Sequence, residues 1–170
     1  MGLSILELVD HLAHEEEENP PLFSLLLETL NAIDRSTRNY QSLARSFQVR
    51  LVSLLGYAPA LDICSECGRS LKDDEQSSDV GFQLLSGAII CSTCTNAHRA
   101  KRAVGYTTLS APAHRILQRF LTSRMDSITT IMYGESVGNE LDETLRLYLR
   151  YHFDNMKDLK STQIFKSMIQ

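Results

Sequence analysis

Four cysteines in two pairs constrain this chain more than any other feature of its sequence. Cys64 and Cys67 are separated by two residues, as are Cys91 and Cys94, and the 170 residues contain no other cysteine. A two-residue gap lets both thiolates of a pair bind one ion, and two such pairs supply the ligands of a tetrahedral zinc site. The spacing therefore predicts one closed Zn²⁺ site with a structural role.

The 23 residues between the two pairs predict the local fold of that site. Gly68 follows the first pair, where glycine permits a tight turn around the metal. Residues 80–90 have the pattern of a β-hairpin that turns at Ser86 and Gly87. The second strand of this hairpin would lead directly to Cys91, so the segment is predicted to be a zinc-ribbon module.

Disulfides or a redox dithiol are the alternative uses of paired cysteines. The first fourteen residues carry four acidic or histidine side chains instead of a basic start and an apolar run, so we expect no secretory signal and a reducing, cytoplasmic location. The strand and helix alternation of a thioredoxin-type site is absent from the sequence. Four cysteine ligands also leave no open position for a hydrolytic metal.

A second group of candidate metal ligands comprises His11, His14 and the glutamates at 15–18. Helical spacing would place the histidines on one face, but the His-Glu-x-x-His pattern is missing. A glutamate run before Asn19 and Pro20 is more typical of a solvated helix end. With no nucleophile elbow and no glycine-rich phosphate loop, the sequence indicates no enzyme.

Apolar residues recur at helical spacing on both sides of the cysteines. Asn19 before Pro20 is a typical helix start, Ser110 is another, and Gly56 is a typical stop. Residues 141–153 are apolar nearly all round, which predicts the central helix of the second half. The predicted helices cover residues 3–12, 22–33, 37–55, 110–120 and 141–153.

Composition fits a globular chain of 43% hydrophobic residues with no run long enough to span a membrane. Its net charge of −4 gives the whole chain no signature of a dedicated nucleic-acid binder. The predicted fold class is mainly α, a helical bundle with an inserted four-cysteine zinc-ribbon β-hairpin module. We expect a helical segment over 1–59, the module over 60–104, and a second helical segment over 105–170 that packs on the first.

Three groups of basic residues are candidate binding surfaces. Arg38, Arg45 and Arg50 occupy the predicted helix 37–55, whose other face is apolar. Aliphatic side chains rimmed by arginine would suit an acidic, hydrophobic peptide, although ordinary surface arginines would give the same spacing.

The other two groups are candidate contacts to DNA phosphates. One follows the second cysteine pair directly, where a metal would hold the backbone rigid, and a solvated connector is its alternative. The other lies near the C-terminus beside Tyr148, Tyr151 and Phe153, aromatics expected to be mostly core. The residues of the two groups are Arg99, Lys101, Arg102, Arg146, Arg150, Lys157 and Lys160.

The order of these motifs resembles the C-terminal part of the bacterial recombination and repair protein family RecO. The resemblance covers nearly the whole chain, and the ordered set is far more specific than the cysteine pairs alone. It includes the Leu-Lys-Ser ending that closes the last helical segment of the family. The residues that carry it are 19–23, 47–59, 64–67, 86–94, 148–153 and 159–161.

The resemblance implies a non-enzymatic mediator that works with RecR and RecF, binds the acidic C-terminal tail of single-stranded DNA-binding protein, and assists strand annealing or recombinase loading. It implies a location in the bacterial cytoplasm at the nucleoid. On this basis Arg45 and Arg50, with Arg38 nearby, are expected to pair with the carboxylates of the tail. Leu51 is expected to receive the terminal aromatic of the tail.

Two features depart from the family pattern. The chain opens directly with helices, whereas family members begin with an oligonucleotide-binding barrel. Asp154 and Asn155 stand where relatives often have glycine, although asparagine also tolerates a left-handed turn. The competing interpretation is a stand-alone zinc-ribbon adaptor that binds protein or nucleic acid in another process.

Overall fold

A computed structural model of the chain describes residues 2–12, 18–71, 78–100 and 105–153. The described part is mainly helical, with one small antiparallel sheet, and this confirms the predicted fold class. None of the described helices is long and apolar enough to cross a membrane. The elements are α1 (Gly2–Leu12), α2 (Pro20–Arg35), α3 (Tyr40–Leu54), β1 (Val80–Gln83), β2 (Ile89–Ile90), α4 (Ser92–Ala100), β3 (Tyr106–Leu109), α5 (Ala111–Thr122), α6 (Met125–Ile128) and α7 (Glu135–His152).

Local capping sets the helix ends that the sequence predicted. The side chain of Asn19 accepts a hydrogen bond of 3.0 Å from the backbone N–H of Leu22 at the start of α2. Ser110 caps α5 in the same way by accepting from Ala113 at 3.3 Å. Gly56 adopts a φ of 92° just after α3, a left-handed conformation that glycine adopts without strain.

Helix α3 is the centre of the helical body, because α2, α5, α6 and α7 all pack against it. Leu43, Phe47 and Leu51 on this helix have no solvent exposure. Helix α7 has one buried face, including Leu141 and Leu145, and an exposed opposite face. The prediction of a helix over residues 141–153 is confirmed, since α7 extends to His152.

The sheet has the strand order β2-β1-β3, and both pairings are antiparallel. The predicted hairpin is confirmed, with Gly81 opposite Ile90 and a turn that ends at Gly87, whose φ is 67°. A Cβ at Gly87 would collide with the ring of Tyr148 on α7, so this glycine also lets the turn approach the body. Strand β3 was not predicted, and it connects the module directly to α5.

One continuous cluster of buried residues runs from the helices into the cysteine module. Phe82 of β1 and Tyr148 of α7 meet within it, edge to face, with ring centroids 5.2 Å apart. The module thus shares its core with the helical body. The segment boundaries expected at residues 59 and 104 stay a prediction.

An ion pair between a buried arginine and a partly exposed aspartate joins the first half of the body to the second. Arg45 on α3 is only 5% exposed, and its Nε and Nη2 atoms each donate to a carboxylate oxygen of Asp142 on α7 at 2.7 Å. Its Nη1 donates to the hydroxyl of Tyr133 at 2.9 Å. Burial acts to lower the pKa of Arg45, but the hydrogen bonds and charge of Asp142 outweigh it, and the pKa is raised.

The hydroxyl of Tyr133 extends this contact into a chain of hydrogen bonds. Since its oxygen accepts from the guanidinium, its O–H can donate to Ser42 Oγ, 2.6 Å away. Ser42 donates to Asn39 Oδ1 at 2.7 Å, and Asn39 Nδ2 donates to the carbonyl of Ile131 at 2.9 Å. Each polar group has a partner, so the network can stay buried without an unsatisfied donor.

Replacing Asp142 with Asn should destabilise the protein by about 1–3 kcal/mol, because the buried guanidinium would lose its counter-charge. The expected loss is smaller than for a fully buried pair because Asp142 is partly exposed. Urea unfolding at neutral pH measures the change. Glu143→Gln is the matched control, since the neighbouring carboxylate pairs with Arg146 at the surface and should contribute less than about 1 kcal/mol. Equal effects of the two variants would contradict the assigned role of Asp142.

Candidate functional site

The four cysteine sulfurs form a compact group. All four Sγ atoms lie within 4.8 Å of one another, and those of Cys67 and Cys91 are 3.8 Å apart. A tetrahedron of sulfurs around zinc, with bonds of about 2.3 Å, has edges of about 3.8 Å. The group therefore has the dimensions needed to hold one tetrahedral metal ion.

Two different local structures bring the pairs together. The first pair lies in a turn where the N–H of Gly68 donates to the carbonyl of Cys64 at 2.9 Å, with Gly68 at a φ of 72°. The second pair lies at the start of a helix, since β2 ends one residue before Cys91 and α4 begins one residue after it. The partial positive charge of a helix N-terminus favours thiolates there.

Electrostatics in this group favour a bound cation. Burial opposes ionisation of Cys64, but N–H groups of Cys91, Cys67 and Glu66 donate to its sulfur and lower its pKa to about 6. The contact from Cys91 measures 3.2 Å. The pKa of Cys94 is raised to about 12, mainly through its hydrogen bond to Cys91. Four thiolates so close together need a cation to ionise together.

A buried histidine anchors the module to the body. His114 on α5 is almost completely buried, and its Nε2 lies 2.8 Å from the carbonyl of Leu61, three residues before Cys64. The amide of Gln118 donates to the same carbonyl at 2.9 Å. Neutral His114 must donate here, and burial lowers its pKa below the usual value.

The arginine group predicted on residues 37–55 does not form an exposed surface. Arg45 is buried and already binds Asp142, and Leu51 has no solvent exposure, so neither side chain is accessible to a peptide in this structure. Arg50 is half-buried and donates to the carbonyls of Phe120 and Ser123, which hold it against α5. Burial lowers the pKa of Arg50.

Arg38 is exposed and precedes α3, instead of lying on the helix as expected. It lines a depression of about 270 Å³ together with Arg35, the acidic Asp126 and other mostly polar residues. Ala32 is the one hydrophobic residue among those that line this depression, and Asp126 adds a carboxylate, so its lining is mainly polar and carries both signs of charge.

A larger groove lies between α5 and the start of α7, with a volume of about 550 Å³. Its basic residues are Arg115 and Arg119, one turn apart on α5. Its apolar residues include Ile116, Val137 and Met132, and Met132 is 75% exposed. The full lining comprises Pro112, Arg115, Ile116, Gln118, Arg119, Thr122, Met132, Tyr133, Gly134 and Val137.

This groove was not predicted from the sequence. Arginines four residues apart within the predicted helix 110–120 were the available signal, since that spacing places side chains on one face. The apolar wall comes from residues 132–137, which span the connection into α7 and its first turn and have no periodic pattern. The two walls meet only in the folded protein.

The predicted DNA contacts stay predictions. Arg146 binds Glu143 on its own helix, with a bond of 2.8 Å from Nε, whereas Arg150 is exposed. The backbone of Arg99 belongs to α4. The side chain of Arg99 and all of Lys101, Arg102, Lys157 and Lys160 lie outside the described residues, as do the side chain of His11, all of His14 and residues 15–17.

The fold and the cysteine group define a helical domain with an inserted module that could hold one metal ion. The family model described as Recombination protein O C terminal matches residues 1–163. The chain belongs to this family.

Individual relatives agree with that assignment. The chain is 30% identical over 159 residues to the DNA repair protein RecO of Desulforamulus reducens, which covers 94% of the chain and 57% of the relative. It is 31% identical over 157 residues to that of Pelotomaculum thermopropionicum, covering 92% and 56%. The chain thus spans little more than half the length of these relatives. No solved structure matches it significantly.

The burial of His114 predicts that the free energy of unfolding decreases as the pH is lowered. Because the pKa of His114 is lowered in the folded state, the unfolded chain binds more protons near and below pH 6.5, the ordinary histidine value. The stability from neutral His114 should be complete above that pH and should fall as the pH decreases through it. Urea unfolding from pH 8 to pH 5 measures this slope.

His114→Gln is the matched variant, since an amide can still donate to Leu61 but does not titrate in this range. The metal centre also responds to pH, so the informative quantity is the difference in slope between the two zinc-saturated proteins. The same slope in both would contradict the assignment to His114.

Proposed function

We propose that this chain is part of a non-enzymatic mediator of recombinational DNA repair. In this role it binds the acidic C-terminal tail of single-stranded DNA-binding protein, works with RecR, and assists strand annealing or recombinase loading. Membership of the RecO family and relatives named DNA repair protein RecO support the process. The groove between α5 and α7 is the observation that supports the tail as ligand.

The chemistry of this groove is complementary to an acidic tail that ends in an apolar side chain. Arg115 and Arg119 provide two positive charges on one wall, and guanidinium groups bind carboxylates through paired hydrogen bonds. Met132 and Val137 provide an apolar wall opposite, and methionine adapts readily to the shape of an aromatic ligand. The smaller depression at Arg38 lacks such a wall.

Arg45 has an indirect part in this proposal. It donates to the hydroxyl of Tyr133, and its guanidinium carbon lies 5.7 Å from the centroid of that ring. Tyr133 lines the groove. The buried arginine that the sequence assigned to the tail therefore holds one wall of the groove in place and does not contact the ligand.

Zinc is the metal that the cysteine group fits best, and we assign it to Cys64, Cys67, Cys91 and Cys94. Four thiolate ligands at this spacing fill a tetrahedron and leave no position for water or substrate. The ion would supply a cross-link between the two pairs. The first two cysteines lie in a turn, Cys91 follows the hairpin, and Cys94 lies in the first turn of α4, so the four ligands connect these segments.

The zinc assignment predicts one Zn²⁺ per chain by native mass spectrometry, and a melting temperature lowered by at least about 4 °C after chelation. That shift corresponds to a contribution of about 2 kcal/mol in a chain of this size. Cys67→Ser is the informative variant, because Cys67 is exposed and its loss removes a ligand with little change in packing. Chelated wild type and Cys67→Ser should melt alike. An unchanged melting temperature after chelation would contradict a structural metal.

The groove assignment predicts that Arg119→Glu weakens binding of a labelled peptide copying the acidic tail by about 5- to 30-fold, the range for losing an anchoring arginine. Met132→Gln should weaken it without a change of charge. Fluorescence anisotropy at physiological salt measures both affinities.

Arg124→Glu is the matched control for this titration. Arg124 is highly exposed, lies outside the groove and carries the same charge change, so only a screened long-range effect of about twofold or less is expected. Equal losses at Arg119 and Arg124 would contradict the groove as the site. No saturable binding by the folded wild type would overturn tail recognition itself.

A further inference from the structure

A patch of aromatic side chains lies where the end of α7 meets the turn after α3. Tyr57 contacts His152 and Phe153, with ring centroids 4.4 Å and 5.2 Å apart. Tyr151 contacts His152 at 5.3 Å. Tyr57 is 38% exposed and Tyr151 is 50% exposed, so two tyrosine rings reach solvent from one connected cluster. We call these four residues the aromatic patch.

The patch is anchored on the core of the protein. The Nε2 atom of His152 lies 2.9 Å from the carbonyl of Leu84, in the turn of the hairpin. Buried Tyr148 lies behind it, with its ring 4.7 Å from that of His152 and its hydroxyl donating to the carbonyl of Tyr57 at 3.2 Å. The exposed rings are thus held in place before any ligand binds, which reduces the entropy cost of binding.

The cation that adjoins the patch along the chain is Arg150. It is exposed and directly precedes Tyr151 in α7, and none of the four patch residues is acidic. Arg146, one turn earlier, is paired with Glu143, so the charge it adds is largely compensated. Exposed aromatic rings with a cation beside them are the combination that binds single-stranded nucleic acid, because bases stack on the rings and phosphates approach the cation.

We propose that the aromatic patch is a stacking platform for single-stranded DNA, with Tyr57 and Tyr151 as the rings that bases contact and Arg150 as the phosphate contact. This inference deepens the proposed function, on which it rests for the choice of a DNA strand. It assigns the strand to a surface built from α7 and the turn after α3, whereas the tail groove lies between α5 and the start of α7. Base stacking is tolerant of sequence, as an annealing activity requires.

A protein partner is the alternative occupant of this surface. Leu54 and Leu85 are also exposed, and both belong to the segments that contact the patch, namely the end of α3 and the hairpin turn. Apolar residues would contribute to a protein interface in the same way as tyrosines do. Stacking requires bases, however, and this requirement separates the two occupants experimentally.

The test is an anisotropy titration of the chain with a labelled oligothymidine of about 15 nucleotides, within the site sizes of single-strand binders. Tyr151→Ala and Tyr57→Ala should each weaken binding by about fivefold or more, the lower range for loss of one base contact. Tyr151→Phe should bind as wild type does, because the ring remains. Phe23→Ala is the matched control, since Phe23 is an aromatic residue of α2 that is 67% exposed.

A strand of the same length with abasic sugars isolates the stacking contribution. It keeps the phosphates, so Arg150→Ala should weaken binding of both strands, whereas Tyr151→Ala should affect the base-containing strand alone. Three results would overturn the platform. The tyrosine variants could bind oligothymidine as tightly as Phe23→Ala does, or Tyr151→Ala could weaken binding of the abasic strand as much as that of the base-containing strand. The third is a wild-type protein with no measurable affinity for the oligothymidine.

Titration of the tail peptide with the same variants separates this inference from the proposed function. Tyr151→Ala should bind the peptide as wild type does, since Tyr151 does not line the groove. If the protein binds oligothymidine through Tyr151 but does not bind the peptide, tail recognition is rejected and the platform is supported. The reverse result would reject the platform alone.

Discussion

The fold depends on neutralising one buried positive charge. Arg45 is a buried residue of α3, the helix against which four other helices pack. A guanidinium that is shielded from water needs a counter-charge and hydrogen-bond partners for its donors. Asp142 provides the charge, and Tyr133 continues the contact toward Ser42 and Asn39. This requirement fixes α7 against α3 and also sets the connection before α7. The groove on the outer side of that connection is a result of the same contacts.

The cysteine module is attached to the body at several points, which makes it more than an appended metal site. Strand β3 passes directly into α5, His114 holds the segment before the first cysteine pair, and Tyr148 packs on the hairpin. A metal ion that orders the two pairs would therefore also order the surfaces next to them. The aromatic patch is the nearest example, since His152 contacts the hairpin turn through Leu84.

Features governed by neighbouring residues could be predicted from the sequence. The cysteine spacing, the turn at Gly87 and the caps at Asn19 and Ser110 are of this kind, because each depends on a few adjacent positions. The burial of Arg45 could not be predicted, since helical periodicity gives a face but not the partner, and Asp142 is 97 residues away. The groove between α5 and α7 and the strand β3 were missed for the same reason, as both arise from contacts between distant segments.

The separation of Arg45 from Asp142 also affects how the chain folds during its synthesis. The first three helices are synthesised long before residue 142. For that time the nascent chain contains Arg45 without Asp142, its partner in the folded protein. Until α7 emerges, solvent must hydrate that guanidinium, and α3 cannot acquire its final packing. The contact that neutralises Arg45 can therefore form only after the chain has been synthesised through α7, and a nascent chain that stops before residue 142 cannot make it.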